Sequence, residues 1–192
     1  MTILGITGGM GSGKSLVCKI LQLHQIPIYD ADIKAKELND TSPVIKEKLI
    51  TLFGPDLYSD EGQLNRAMLA SYIFGDKDNL LKVNKIIHTE LAKDFQNWTA
   101  SHQHHPIVAI DAPVLLEANF QQYVDKVITV TAPQSIRVER VKQRDNLPEK
   151  DIVARMNSQM SEEEKIEKSD FVIINDNKHS LIAQTERIIN AI

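Results

Sequence analysis

Apolar positions along this chain follow two rhythms. Short solid apolar runs stand at Ile3 to Thr7, Ile26 to Tyr29, Ile107 to Ile110, Val127 to Val130 and Phe171 to Ile174, the length and residue type of strands buried on both faces. Between them the apolar positions recur at helical spacing. Ser15 to Leu23 is one such segment, Val44, Ile45, Leu49, Leu52 and Phe53 share the face of a second, and Leu80, Leu81, Val83, Ile86, Ile87, Leu91, Phe95 and Trp98 mark a longer third. Gly54-Pro55 and Asp60-Glu61-Gly62 punctuate the interval, and a closing helix runs from about His179 to Ile192. Strands alternating with helices predict an α/β fold, a parallel sheet with helices on both faces. From Ile33 to Ser101 nothing strand-like interrupts the helical pattern.

Between Arg137 and Lys168 the composition turns charge-rich with few large apolar residues, which predicts an exposed, mobile helical pair, with Arg137 at the surface. Over all 192 residues, 42% are hydrophobic and 25% charged, the proportions of an ordinary globular protein, and no apolar run reaches membrane-spanning length. The start, Met1 to Thr7, lacks the basic and long apolar stretches of a secretory signal, so an intracellular, cytoplasmic chain is expected. Cys18, the single cysteine, sits among Leu16, Val17, Ile20 and Leu21 and reads as a buried structural thiol. A formal net charge of -4 argues against a nucleic-acid partner but leaves room for a phosphorylated small molecule, which needs only a local cluster of basic groups. No feature of the sequence sets the number of subunits.

The sharpest chemical signal lies between the first strand and the first helix. Gly8, Gly9, Met10, Gly11, Ser12, Gly13, Lys14 and Ser15 complete the pattern GxxxxGK[ST] in the strand–loop–helix context that motif requires. Glycines let successive N–H groups turn inward, and the helix amino terminus adds partial positive charge where phosphate oxygens would sit. Lys14 then reaches the β- and γ-phosphates of a nucleotide, and the Ser15 hydroxyl is placed for Mg²⁺. A dinucleotide-binding GxGxxG fails, because Lys14 occupies its third glycine.

The acceptor side decides between kinase and switch. Asp30 and Asp32 follow the second strand, and the carboxyl ends of strands face the ligand crevice in open α/β sheets. A carboxylate there orients an acceptor hydroxyl; one of the two equally suits the cap of the helix beginning at Ile33. Arg140 and Arg144, one helical turn apart, could close over ATP or form a solvated face. Asp111, at the end of the third strand, could hold Mg²⁺ through water or simply end the strand in a turn. His102, His104 and His105 lie in a polar loop and read as solvated.

Several blocks together resemble the dephospho-CoA kinase family over nearly the whole chain. Thr7 to Ser15 resembles its P-loop, and Asp30-Ala31-Asp32 its Asp-Ala-Asp. Leu64 to Phe74 with Arg66 is similar to its Leu-x-Arg block, and Ile86-Ile87-His88 to its histidine-bearing helix, with Thr89 where proline often follows. Pro113-Val114-Leu115-Leu116-Glu117 resembles its Pro-x-Leu-Leu-x-Glu-like segment without the gap before Glu117. Arg140 to Asp145 looks like its lid, Arg155 and Gln159 like the following helix, and Val172 to Asn175 like its last strand, with Ile174 where aspartate is common.

The resemblance implies a P-loop three-layer fold on five parallel strands. It implies a nucleotide-binding core at 1–32, 102–136 and 169–192, a helical CoA-binding insertion at 33–101 and a lid at 137–168. It also implies phosphorylation of the ribose 3′-hydroxyl of 3′-dephospho-CoA, with ATP and Mg²⁺. Asp32 would engage the hydroxyl, Arg66, His88, Leu116 and Glu117 would line the acceptor side, and Asn175 would lie on the nucleotide side. Rival readings are a nucleoside, nucleotide or shikimate-type kinase, a nucleotide switch, or an idle nucleotide-binding module. No guanine-reading Asn-Lys-x-Asp series supports the switch.

Overall fold

The computed structural model describes residues 1–192. Five strands, β1 (Thr2–Thr7), β2 (Ile28–Asp30), β3 (Ile107–Asp111), β4 (Lys126–Thr131) and β5 (Phe171–Ile174), form one sheet in the order β2-β3-β1-β4-β5. Every pairing is parallel, with Thr2 beside Ile107 on one side of β1 and Leu4 beside Lys126 on the other. The solid apolar runs are explained by that arrangement: Leu4, Ile6, Ala109, Ile128, Val130 and Ile173 have no exposed surface.

Helix α1 (Lys14–Leu23) and the closing helix α9 (Leu181–Ile189) turn Val17, Cys18, Leu21 and Ile188 into the same core. Burial pushes the Cys18 thiol up to about 11, the behaviour of a packing residue and not of a reactive one. Across β1 from that layer, Gly5 has no side chain because a Cβ there would come within 2.7 Å of Leu115 Cδ1. The glycine lets the segment after β3 lie directly over β1.

The chain forms two compact units, 1–30 with 99–192, and 31–98. The second is all helical: α2 (Ala31–Thr41), α3 (Pro43–Phe53), α4 (Arg66–Ile73) and α5 (Lys77–Ser101). Its core gathers Ile45, Leu49, Leu57, Leu64, Leu69 and Val83. Local chemistry sets its boundaries. Ser42 caps α3 by accepting from the Ile45 N–H, Pro43 opens that helix, Gly54 ends it at φ 93, and Asn65 caps α4 through the Met68 N–H. With threonine instead of proline after His88, α5 runs unbroken, and Thr89 Oγ1 donates back to the Lys85 carbonyl at 2.6 Å.

The charge-rich stretch departs from expectation. It forms three helices, α6 (Gln134–Asp145), α7 (Glu149–Asn157) and α8 (Glu162–Glu167), which belong to the first unit. Val141, Ile152 and Met156 form a small buried core there, joined by Met10, Val138 and Leu147. Arg137 is not at the surface. It is buried, its Nε donates to the Ala132 carbonyl at 3.0 Å, and its Nη1 pairs with Glu162 Oε1 at 3.3 Å. Glu162 is held in turn by Thr131 Oγ1, which donates to its Oε2 at 2.6 Å.

The two charges of that pair keep only 11% and 13% of their side-chain surface, so removing one strands the other in a poorly solvated place. Arg137→Ala is expected to lower unfolding free energy by about 3 kcal/mol. Denaturant titration checks this, and an unchanged midpoint would mean the pair contributes nothing.

Candidate active site

β1 ends in Thr7 and delivers the chain into the glycine loop; α1 begins at Lys14. Two backbone bonds shape the loop, Ser12 N–H to the Gly9 carbonyl at 3.0 Å and Leu16 N–H to the Gly13 carbonyl at 2.9 Å. Gly13 is indispensable on two counts. Its φ of 91 is left-handed, and a Cβ there would strike the Asn175 side-chain amide. No side chain caps α1, so nothing of the helix's own covers its positive end. Ser12 Oγ is buried and has no hydrogen-bond partner in the protein.

Lys14 Nζ forms an ion pair with Asp111 Oδ1, and each side chain keeps 13% of its surface. β3, which lies beside β1, places Asp111 at its carboxyl end, level with Asp30 at the end of β2. The expectation for Asp111 left a plain strand-end turn open; the structure puts its carboxylate on the P-loop lysine.

Arg140, projecting from α6, spans the loop and the end of β5. Its Nη1 donates to the carbonyls of Gly11 and Ser12 at 3.4 and 3.5 Å, and its Nη2 to Asn175 O, Asn175 Oδ1 and Asn177 Oδ1 at 3.1, 3.2 and 2.7 Å. Asn175 completes the join by donating through Nδ2 to the Ser12 carbonyl at 2.8 Å.

Arg144 shares α6 with Arg140 as expected but has a different partner. It lies in the last turn of α6, 65% exposed, and its Nε and Nη2 grip the adjacent Asp145 carboxylate at 2.7 and 2.8 Å. The four-residue step carries it toward the helix end, where its neighbour is the nearest anion.

The acceptor candidates fall in two places. Asp32 is exposed in the first turn of α2, two residues beyond Asp30. Arg66 opens α4, with Nη2 on Asp40 Oδ2 at 2.7 Å and on the Lys36 carbonyl at 3.2 Å. Asp40 Oδ1 meanwhile accepts from the Leu64 N–H at 2.9 Å, so one carboxylate seats both the arginine and the turn before it. His88 is half-buried in α5, and burial pushes its imidazole below the usual range toward the neutral form.

Leu116 and Glu117 each meet neighbours within the protein. Leu116 is buried, and Glu117 Oε1 accepts from Lys165 Nζ at 2.7 Å and from the Met160 N–H at 3.2 Å. His102, His104 and His105 stack on one another after α5, with ring centroids 4.2 to 6.2 Å apart.

One contact had no counterpart in the motif reading. Gln159 Oε1 accepts from the Met10 N–H at 3.2 Å, so the turn after α7 touches the P-loop directly. Gln159 belonged to a block of resemblance, but nothing in periodicity or charge marks which polar residue of a charged stretch reaches a glycine loop.

A parallel sheet of this strand order, a complete GxxxxGK[ST] loop between β1 and α1, a lysine paired to a strand-end carboxylate and an arginine laid across the loop define a P-loop kinase. The fold matches a crystal structure from Thermus thermophilus with a TM-score of 0.85 at 30% identity, covering 99% of this chain and 96% of that one. The chain belongs to the dephospho-CoA kinase family, whose model matches residues 2–180. A dephospho-CoA kinase of Porphyromonas gingivalis is 42% identical over 193 residues, 100% of this chain and 95% of that protein. Another, from Bacteroides fragilis, is 40% identical over 186 residues, 97% and 90% of the two. No helix is long and apolar enough to cross a membrane.

Proposed function

We propose that the chain transfers the γ-phosphoryl group of ATP to the ribose 3′-hydroxyl of 3′-dephospho-CoA, giving ADP and CoA, the last step of coenzyme A biosynthesis. The observation that carries this reading is the convergence of Lys14, Asp111 and Arg140 on one glycine loop in a chain of this family. The orphaned Ser12 hydroxyl adds support, since a phosphate oxygen supplies the partner a buried hydroxyl needs.

The phosphates lie in the loop between Gly8 and Ser15, with Lys14 neutralising charge on the transferring group and Arg140 joining it from the α6 side. Asn175, fixed against Ser12 and Gly13, bounds the nucleotide side. Asp32 accepts a hydrogen bond from the 3′-hydroxyl and aims its oxygen at the γ-phosphorus. The new O–P bond forms in line as the bond to the ADP oxygen breaks, and the proton passes late to Asp32 and on to water. Arg66 and the neutral His88 serve the acceptor. For Leu116 and Glu117 the packing supports a structural part in the loop after β3.

Mg²⁺ suits this donor set. No three His, Cys, Asp or Glu side chains cluster as a ready metal cage, and the available groups are hard oxygens, the Ser15 hydroxyl and the Asp111 carboxylate. An ion that keeps most of its water and takes phosphate oxygens needs no more than that from protein. When bound, it supplies positive charge to the phosphates.

The test is ADP release by the purified protein with ATP and Mg²⁺ and, separately, dephospho-CoA, AMP or shikimate, with each product identified by mass. Conversion of dephospho-CoA alone is expected. Turnover of another acceptor in its place would keep the fold and overturn the assignment.

A further inference from the structure

Lys165 lies in α8, within the run Glu162 to Lys168 that reads as solvated charge, yet its side chain has no exposed surface. Its Nζ pairs with Glu117 Oε1 at 2.7 Å and donates to the Pro113 carbonyl at 3.1 Å. Burying an ammonium group costs several kcal/mol even when it is paired, and apolar side chains in place of both Lys165 and Glu117 would seat the helix at least as well. Stability alone therefore does not account for a charge in this place.

What the ammonium joins is informative. The Pro113 carbonyl also accepts from Thr7 Oγ1 at 3.1 Å, and Thr7 is the last residue before the P-loop. Two residues before Pro113 stands Asp111, the partner of Lys14. Glu117, on the far side of the same short segment, holds the Met160 N–H, and the preceding residue, Gln159, holds the Met10 N–H of the P-loop. Lys165 itself is fixed through its carbonyl, which accepts from Ser169 Oγ at 2.7 Å and from Thr129 Oγ1 at 3.4 Å. One buried cation thus ties both ends of the 113–117 segment, and with them the start of the P-loop and the turn that reaches its middle.

We propose that Lys165 is a positioning residue for phosphoryl transfer: through Pro113 and Glu117 it sets the segment that aims Asp111 at Lys14 and the turn that carries Gln159. The inference rests on Lys14 being the lysine that meets the transferring phosphate. Lys165 Nζ is engaged by Glu117 and the Pro113 carbonyl. It acts through geometry, where a displacement of about 1 Å far from the reacting atoms can cost up to ~10²-fold in rate.

The test uses the full chain with Lys165→Met, Glu117→Gln and the double variant, reading kcat, the KM for ATP and the thermal midpoint. Lys165→Met is expected to lower kcat about tenfold or more while the KM for ATP stays within about threefold, and to lower the midpoint because Glu117 loses its partner. In the double variant the unpaired charge is gone, so the midpoint should recover while kcat stays low. Recovery of kcat together with the midpoint would make Lys165 merely structural and overturn the proposal, as would an unchanged kcat in Lys165→Met. Should that variant fail to fold, Glu117→Gln decides. It keeps one acceptor oxygen while removing the charge and replacing the other oxygen with an amide donor, and is expected to lower kcat about threefold or more; a wild-type kcat would overturn the proposal. The parent protein is assayed alongside by ADP release with dephospho-CoA and with the other acceptors. An acceptor other than dephospho-CoA would overturn the substrate assignment while leaving the comparison among variants intact.

Discussion

Lys14→Ala is expected to reduce kcat/KM for ATP by roughly 10³-fold or more, the upper range for deleting a single preorganised charge-stabilising group. The size follows from the setting. Lys14 keeps little of its surface, begins an uncapped helix, and is paired with the Asp111 carboxylate. A neutral side chain removes charge from the transferring phosphate and also strands Asp111 beside the negative phosphates. Both ground-state binding and the chemical step should suffer, so steady-state kinetics and calorimetric ATP binding are measured together. Full ATP affinity with normal turnover would refute the assignment of this loop.

The second large effect has a different signature. Asp32→Asn is expected to lower kcat with dephospho-CoA by roughly 10²- to 10³-fold, the usual scale for a proton-accepting side chain, with ATP affinity nearly unchanged. Asn matches Asp in shape, and the position is exposed in the first turn of α2, so the fold should lose at most the ~0.3–1 kcal/mol of a carboxylate near a helix amino terminus. Single-turnover kinetics separate the chemical step from binding. A wild-type chemical step in this variant would remove Asp32 from its role.

The residues that announced themselves in the sequence share a physical property: their signal is local. The P-loop is eight consecutive residues whose glycines are demanded by backbone shape, and Gly13, pressed against Asn175, shows why substitution there is barred. The strands stood out because burial on both faces leaves no polar alternation to confuse with helix. The long helix α5 was visible because its apolar face persists from Leu80 to Trp98, about five turns.

Other residues were hidden because their meaning is set by distant partners. Lys165 and Glu117 are 48 positions apart in the chain, and a lysine in a run of glutamates looks like a solvated helix until the fold covers it. Arg137 likewise looked exposed, because Glu162 and the Ala132 carbonyl, which hold it, come from separate parts of the chain. Arg144 was open to two readings, closing over ATP or a solvated face, and its spacing from Arg140 says nothing of the adjacent Asp145 whose carboxylate it holds here.

The pairing of β1 with β3 has a consequence for how the chain is made. Thr2 lies beside Ile107, so β1 leaves the ribosome about a hundred residues ahead of one neighbour and further ahead of β4. At roughly 5–20 residues per second that is on the order of ten seconds, during which an uncharged apolar strand has no sheet to join. The helical unit at 31–98 is synthesised within that interval and has its own core of local contacts. Formation of that core shortens the loop that β1 and β3 must close, and so narrows the window in which an unpaired β1 can meet another chain's.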